Sequence, residues 1–257
     1  MKNVKYILVL SIAALCSIPN VYAERLVSNS RDTLPAFKFQ LTSQLGARNG
    51  YTDGVHVKDV DTNNAYRLFC TDLYTYTSSS YSNGVGQVYN PALLADSVFH
   101  TDAQKVQLQS LFDHVYTKAF NADYSAKNDL YANIFQLAVW EIANDTAGNL
   151  SLRDGDIFLT GALILQPNGS SYSSSNSSDV YKEALDTLDS WFDAIINDSW
   201  AALGYDEDRV TLTVYVAEGG RSASQTFMGV AVAPEPATML IFGLGIVGLG
   251  LARRRRK

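Results

Sequence analysis

Asp129-Leu130-Tyr131-Ala132-Asn133-Ile134-Phe135-Gln136-Leu137-Ala138-Val139-Trp140-Glu141-Ile142-Ala143-Asn144 lies at the centre of the chain and has hardly any polar face. Leu130, Ile134, Phe135, Leu137, Val139, Trp140 and Ile142 point in nearly every direction on a 3.6-residue period, so the segment predicts a buried helix ending near Gly148. A helix buried on all sides needs other elements to cover it. Upstream, Thr101 with Gln104 forms a capping box that opens a helix to about residue 120, with Val106, Phe112, Val115 and Ala119 roughly on one face. Downstream, residues 167–178 are almost entirely Ser, Asn, Gly and Tyr and predict a mobile surface loop. Asp179 then caps a helix to about Leu203, with Leu185, Leu188, Phe192 and Ile195 inward and Gly204 as its stop.

Strand signals lie on both sides of this helical middle. Residues 54–60 and 65–76 are rich in β-branched and aromatic side chains, with Asp61-Thr62-Asn63-Asn64 as the turn between them. Residues 83–91 read as a loop. Val210, Leu212, Val214 and Val216 alternate as in a half-buried strand, and after Glu218-Gly219-Gly220 the chain 224–232 is expected to pair back as a hairpin. The expected class is α+β, with strands flanking a helical middle segment and residues 37–77 and 209–232 sharing one sheet. No internal repeat, phosphate loop, zinc spacing or dinucleotide fingerprint is present.

Both ends of the 257-residue chain read as addresses. Residues 1–23 have the form of a signal peptide for the secretion translocon: Lys2 and Lys5, an uncharged run over 6–18, Pro19, then Val21-Tyr22-Ala23 before Glu24. The run is too short to span a bilayer. At the other end, Pro234-Glu235-Pro236 precedes residues 237–252, which carry no charge, and then Arg253, Arg254, Arg255, Arg256 and Lys257. As a transmembrane helix, 237–252 would reach about 24 Å, and the five cations would hold its end on the cytoplasmic side. This order of motif, helix and basic stop resembles the PEP-CTERM sorting signal (234–257) of Gram-negative, exopolysaccharide-producing bacteria. The resemblance implies a membrane-anchored precursor, recognition by an exosortase, cleavage near Pro234–Pro236, and delivery to the cell surface or the extracellular matrix of a biofilm.

The remaining domain, residues 24–233, holds 13 basic and 25 acidic residues, a net charge of −12. That balance argues against nucleic acid as a partner. Cys16 belongs to the signal peptide, so Cys70 is the only thiol of the exported domain, and neither a disulfide scaffold nor a four-cysteine zinc site can be built. Asp59-Val60-Asp61-Thr62-Asn63 starts like a calcium loop, but Asn64 and Cys70 stand where glycine and glutamate are needed. A polar turn accounts for it, and neither a metal nor a cofactor is expected.

Two short segments carry chemistry: Phe69-Cys70-Thr71-Asp72 on a predicted strand and Phe135-Gln136-Leu137-Ala138-Val139-Trp140 on the buried helix. A thiolate is a strong nucleophile, and attack on an amide needs closeness and orientation. An unpaired Gln136 amide among apolar neighbours would cost ~1–3 kcal/mol. Phe69, Phe135 and Trp140 provide a dry surround, and Asp72 follows Cys70 by two residues, on the same face of a strand. On the residues alone, three readings stay open. Cys70 and Gln136 react with each other, or Cys70 is a buried free thiol in a non-covalent structural or glycan-binding protein. The third is a cysteine hydrolase served by His56, His100 or His114. Tyrosines 66, 74, 76, 81 and 89 would serve the glycan reading.

Together the two segments resemble the thioester domains of bacterial surface proteins, over roughly residues 37–165. The resemblance implies a bond between the Cys70 sulfur and the Gln136 side-chain carbonyl, formed with release of ammonia. Thr71 stands where such segments carry an aliphatic, and Phe135 where threonine is frequent; the reacting groups are unchanged. It further implies a single-use covalent binder, not a turnover enzyme. An amine (a protein lysine or an amino sugar) would attack the Gln136 carbonyl and displace Cys70, tying the protein to its target in adhesion. Asp72 would steady the backbone or relay a proton.

Overall fold

The computed structural model describes residues 23–28, 37–43, 46–50, 55–73, 86–120, 126–144, 148–165, 172–173, 177–220 and 224–230. Strands β1 (Glu24–Ser28), β4 (Val55–Asp59), β5 (Ala65–Cys70), β6 (Gln87–Leu93), β9 (Leu212–Ala217) and β10 (Phe227–Val230) close an antiparallel barrel in the order β1-β4-β5-β10-β9-β6. Cross-strand partners share a face. The pairs Val55↔Leu68, Cys70↔Phe227, Phe227↔Tyr215 and Pro91↔Tyr215 therefore put Leu68, Cys70, Phe227, Tyr215 and Tyr89 on one face of the wall. The alternate residues Phe69, Val214 and Met228 face the other way and are equally buried.

That outer face is covered by helices. Helix α1 (Asp102–Leu111) runs through one π-helical turn, Phe112–Tyr116, and a last turn Thr117–Phe120; α2 spans Ala126–Asn144. Strands β2 (Phe37–Ser43), β3 (Gly46–Gly50), β7 (Ile157–Leu165) and β8 (Tyr172–Ser173) make a second sheet in the order β3-β2-β7-β8. Helix α2 lies between the two sheets, against β5 on one side and β2 on the other, and also touches α1 and α3 (Ser177–Asn197). Its lack of a polar face is explained by this position: every residue from Ala132 to Ile142 is buried. Tyr181 of α3 donates to the Leu159 carbonyl at 3.1 Å, fastening α3 to β7.

Several local expectations hold. The capping box at Thr101 and Gln104 is formed, the turn 59–64 joins β4 to β5, and β9 and β10 make the hairpin after Gly219 and Gly220, both at positive φ. Others are corrected. Residues 37–77 and 209–232 do not share one sheet: 37–50 go to the second sheet, while β4 and β5 join β9 and β10 in the barrel. The expected loop 83–91 contains most of strand β6, and Pro91 lies beyond its last described pair with β1, Glu24↔Tyr89. Strand 65–76 ends at Cys70. Val106 is 71% exposed, because Leu108, Leu111, Phe112, Val115 and Ala119 form the inward stripe instead.

The helix from Asp179 stops at Asn197, where Asp198 takes φ +50°, and a single 3₁₀ turn Trp200–Leu203 follows before Gly204 at φ +72°. Strand β9 is buried on both faces, not half-buried, since helices cover one face and the barrel encloses the other. Within the expected loop 167–178, Tyr172–Ser173 pairs with β7 and α3 already begins at Ser177. Strand β7 lies between the two later helices, in a stretch to which the sequence reading assigns no element. The signal peptide's first 22 residues and the sorting segment 234–257 lie outside the described residues.

The barrel depends on a close approach of β10 to β5. A Cβ placed on Gly229 would stand 2.4 Å from Leu68 Cδ2 and 3.4 Å from the Arg67 carbonyl oxygen, and Leu68 is 1% exposed. Gly229→Ala is therefore expected to destabilise the fold by about 1–3 kcal/mol through overpacking. Urea unfolding of the variant against wild type measures this, with a lower midpoint at unchanged slope as the expected outcome.

Candidate functional site

Cys70 is the last residue of β5. The next residue, Thr71, donates its N–H to the Thr226 carbonyl at 3.0 Å and its hydroxyl to the same oxygen at 3.3 Å. In an antiparallel ladder the direction of the backbone groups alternates along the strand, so the N–H and C=O of Cys70 point away from β10. On that side, among the described residues, the last pair of β5 with β4 is Val55↔Leu68. The Gln136 carboxamide takes the next place. The Cys70 N–H donates to Gln136 Oε1 at 3.0 Å, and Gln136 Nε2 donates to the Cys70 carbonyl at 2.8 Å.

A side chain from α2 thus does what a neighbouring strand would do. Cys70 and Gln136 are 6% and 1% exposed, so each would leave a buried polar group unpaired without the other. The two residues singled out in the sequence, Cys70 and Gln136, are thus brought together by these two hydrogen bonds.

One turn and two turns beyond Gln136 on the same stripe stand Trp140 and Asn144. Asn144 Nδ2 donates to the Thr71 carbonyl at 2.9 Å and to the Trp140 carbonyl at 2.8 Å, stapling the chain just after Cys70 to the end of α2. Gln225 Nε2 donates to the Asp72 carbonyl at 2.9 Å. Neither Asn144 nor Gln225 stands out in the sequence. The i+8 spacing of Asn144 from Gln136 is the one signal that points to it.

The surround is aromatic. Phe69 meets Phe135 edge-on with ring centroids 4.9 Å apart, and Phe135 meets Phe112 at 4.8 Å and Phe120 at 5.4 Å. These rings lie on the outer face of the wall, behind Cys70 and Gln136, and shut water out from the helix side. Burial first, and the negative charge of Asp72 second, push the Cys70 thiol far above its ordinary range. Asp72 is itself 3% exposed. Tyr89, on the same wall face as Cys70, is raised to about 12, chiefly by burial, with a hydroxyl contact to Ser224 at 3.0 Å acting in the opposite sense. An unreacted Cys70 is accordingly a thiol, not a thiolate, at neutral pH.

The other candidates fall elsewhere. His100 Nδ1 contacts the Ser97 hydroxyl at 3.0 Å, and His114 bonds the Ser110 carbonyl at 2.9 Å and stacks on Trp200. The His56 side chain lies outside the described residues. Asp59 accepts from the N–H groups of Asp61 and Thr62 at 3.1 and 3.2 Å, which accounts for its carboxylate as a turn former. Among the described residues no cluster of His, Cys, Asp and Glu could hold a metal ion. Tyr89 is fully buried and Tyr66 half-buried, while tyrosines 74, 76 and 81 lie outside the described residues. The same holds for Pro234, Glu235, Pro236 and the basic tail 253–257.

The PEP-CTERM protein-sorting motif matches residues 232–257. It marks the chain as an exported, surface-associated protein. No curated protein matches the sequence. Among solved structures the chain is similar to the N-terminal domain of the Streptococcus pyogenes pilus tip adhesin Cpa, at 13% identity and TM-score 0.45, covering 84% of this chain and 100% of that one. It is similar to the N-terminal thioester domain of the fibronectin-binding protein SfbI from Streptococcus pyogenes, at 13% identity and TM-score 0.43, covering 85% and 100%. The N-terminal thioester domain of a surface protein from Clostridium perfringens gives 14% identity and TM-score 0.37, covering 76% and 99%. Among the described residues no helix is long and apolar enough to cross a membrane.

The influence of Asp72 on the thiol can be measured in a Gln136→Ala background, where Cys70 has no amide to react with. Replacing Asp72 by Asn removes a charge that disfavours the thiolate. The alkylation rate at pH 8 is therefore expected to rise several-fold, and its pH profile to move toward lower pH. An unchanged or slower rate would contradict this electrostatic role.

Proposed function

We propose that Cys70 and Gln136 close an internal thioester and that the protein is a single-use covalent adhesin of the bacterial surface or extracellular matrix. The observation that carries this reading is the pair of hydrogen bonds that clamps the Gln136 carboxamide onto the Cys70 backbone. The Cys70 sulfur forms a bond to Gln136 Cδ, the Cδ–Nε2 bond breaks, and the thiol proton leaves with the nitrogen as ammonia. Oxyanion character develops on Oε1, the atom already held by the Cys70 N–H, so this amide serves as a preorganised donor. The thiol is reluctant to ionise in its buried setting, and the nearby Asp72 carboxylate takes its proton and passes it to the departing nitrogen.

Capture repeats these steps with a new nucleophile. An incoming amine, from a protein lysine or an amino sugar, attacks Cδ; a C–N bond forms, the C–S bond breaks, and Cys70 recovers the proton the amine loses. The product is a stable amide, and nothing regenerates the bond in a catalytic cycle, so the protein is not a turnover enzyme. Phe69, Phe135 and Trp140 keep the bond dry until an amine arrives.

Export fits this use. Residues 1–23 direct the chain to the secretion translocon, and the span 237–252 with its basic stop holds a membrane-anchored precursor. An exosortase then recognises Pro234-Glu235-Pro236 and releases the domain 24–233 to the cell surface or biofilm matrix of a Gram-negative bacterium.

Methylamine is the simplest probe. Wild-type protein is expected to gain one methylamine at Gln136, located by peptide mapping, with a free Cys70 thiol appearing in equal amount. Cys70→Ala and Gln136→Ala are expected to gain none. Equal labelling of either variant, or labelling of wild type at another residue, would contradict the assignment.

A further inference from the structure

On the side of α2 and α3 away from the cysteine, three rings meet at a surface groove. Tyr131 of α2 stacks on Trp191 of α3 at 6.3 Å and 26°, and Trp191 meets Tyr205 edge-on at 6.4 Å while its indole N–H donates to the Tyr205 hydroxyl at 3.2 Å. Trp191 is 1% exposed and lies beneath the surface, so the partly exposed Tyr131 and Tyr205, with Leu203 at 41% exposure, form the accessible floor of an open groove of about 570 Å³. The floor continues past Lys118 into a second hollow of about 340 Å³.

One wall of the groove belongs to α3. Asp179, Lys182, Glu183, Asp186, Thr187 and Ser190 stand at i, i+3, i+4, i+7, i+8 and i+11 and so share one face of the helix, about 16 Å long. Asp186 is tied to Lys182 at 2.8 Å and to Arg153 at 2.9 Å, leaving Asp179 and Glu183 as the exposed carboxylates beside the aromatic floor. On the far side the Lys118 ammonium sits 4.0 Å from the centre of the Tyr205 ring and donates to the Gly204 carbonyl. The groove already seats one ammonium on an aromatic face, an arrangement favoured by the ring quadrupole.

We propose that this groove binds, non-covalently, a short run of unacetylated hexosamine units in an oligosaccharide. The aromatic and Leu203 floor matches the apolar C–H face of a sugar ring, and the hydroxyls of Thr187 and Ser190 match sugar hydroxyls. Asp179 and Glu183 match the ammonium groups. A net charge of −12 over residues 24–233 disfavours an anionic polysaccharide and favours a cationic one. Tyr89, near the cysteine, is fully buried and so cannot stack on a sugar. Tyr131 and Tyr205 keep accessible edges and take that role. The groove is independent of Cys70 chemistry, although an amino sugar docked here would also supply the class of amine the thioester consumes.

The test uses the full chain carrying Cys70→Ala, so that no covalent capture contributes. A glucosamine hexamer is titrated by calorimetry and by tryptophan fluorescence, beside the fully N-acetylated hexamer and a lysine hexapeptide. The glucosamine hexamer is expected to bind, with both alternatives at least several-fold weaker. Asp179→Asn/Glu183→Gln is expected to weaken it about tenfold and to flatten its salt dependence. Both residues are exposed, so an unchanged unfolding midpoint separates lost binding from lost folding. No binding of the hexamer, equal binding of the lysine peptide or the acetylated hexamer, or undiminished binding by the double variant would each overturn the proposal. None of these outcomes bears on whether wild-type protein forms the Cys70–Gln136 bond.

Discussion

The paired hydrogen bonds between the Gln136 carboxamide and the Cys70 backbone bind the two halves of the molecule together. They continue the β5 ladder past its last described pair with β4, and they pair both ends of a carboxamide at the centre of an apolar helix. The requirement runs in both directions. Helix α2 has to lie against the end of β5 for Gln136 to be satisfied, and β5 has to end at Cys70 for its backbone to be available. The staple from Asn144, at the end of the same helix, to the Thr71 carbonyl and the bond from Thr71 to Thr226, just before β10, fix the same point.

The electrostatic setting follows from the same burial. A cysteine with a raised pKa makes a poor free nucleophile, so reaction with a neighbouring amide depends on position and proton handling, not on a standing thiolate. That differs from a cysteine hydrolase, in which an imidazole keeps the thiolate ready; the described histidines His100 and His114 are engaged with Ser97 and Ser110. The aromatic rings behind the site serve two ends at once. They contribute apolar burial to the core, and they shield the site of the proposed thioester from water.

Much of this was legible in the sequence because it is local. The apolar circumference of 129–144 foretold a buried helix, the Thr101–Gln104 spacing its neighbour's cap, and Glu218-Gly219-Gly220 the last hairpin. Cys70 and Gln136 were identifiable as partners through their flanking residues. What the sequence left unread is tertiary in origin. Barrel closure depends on β10 entering beside β5, and nothing in the Phe227–Val230 run names its neighbour. Strand β6 was hidden by Pro91, which lies beyond the last described pair with β1. Strand β9 alternates as a one-sided strand would, yet its Thr213, Tyr215 and Ala217 face a barrel interior that only closure creates. Asn144 carries no motif of its own; its role appears when the Thr71 carbonyl is placed within reach.

The central claim is that the clamp is a reactive arrangement and not merely a well-satisfied glutamine. The intact mass of freshly purified wild-type protein, measured under denaturing acidic conditions that preserve thioesters, tests this most directly. The account predicts a mass lighter than the sequence by one ammonia, absent in Cys70→Ala and in Gln136→Ala. A wild-type protein at full sequence mass, with one titratable thiol and no history of exposure to amines or base, would contradict it.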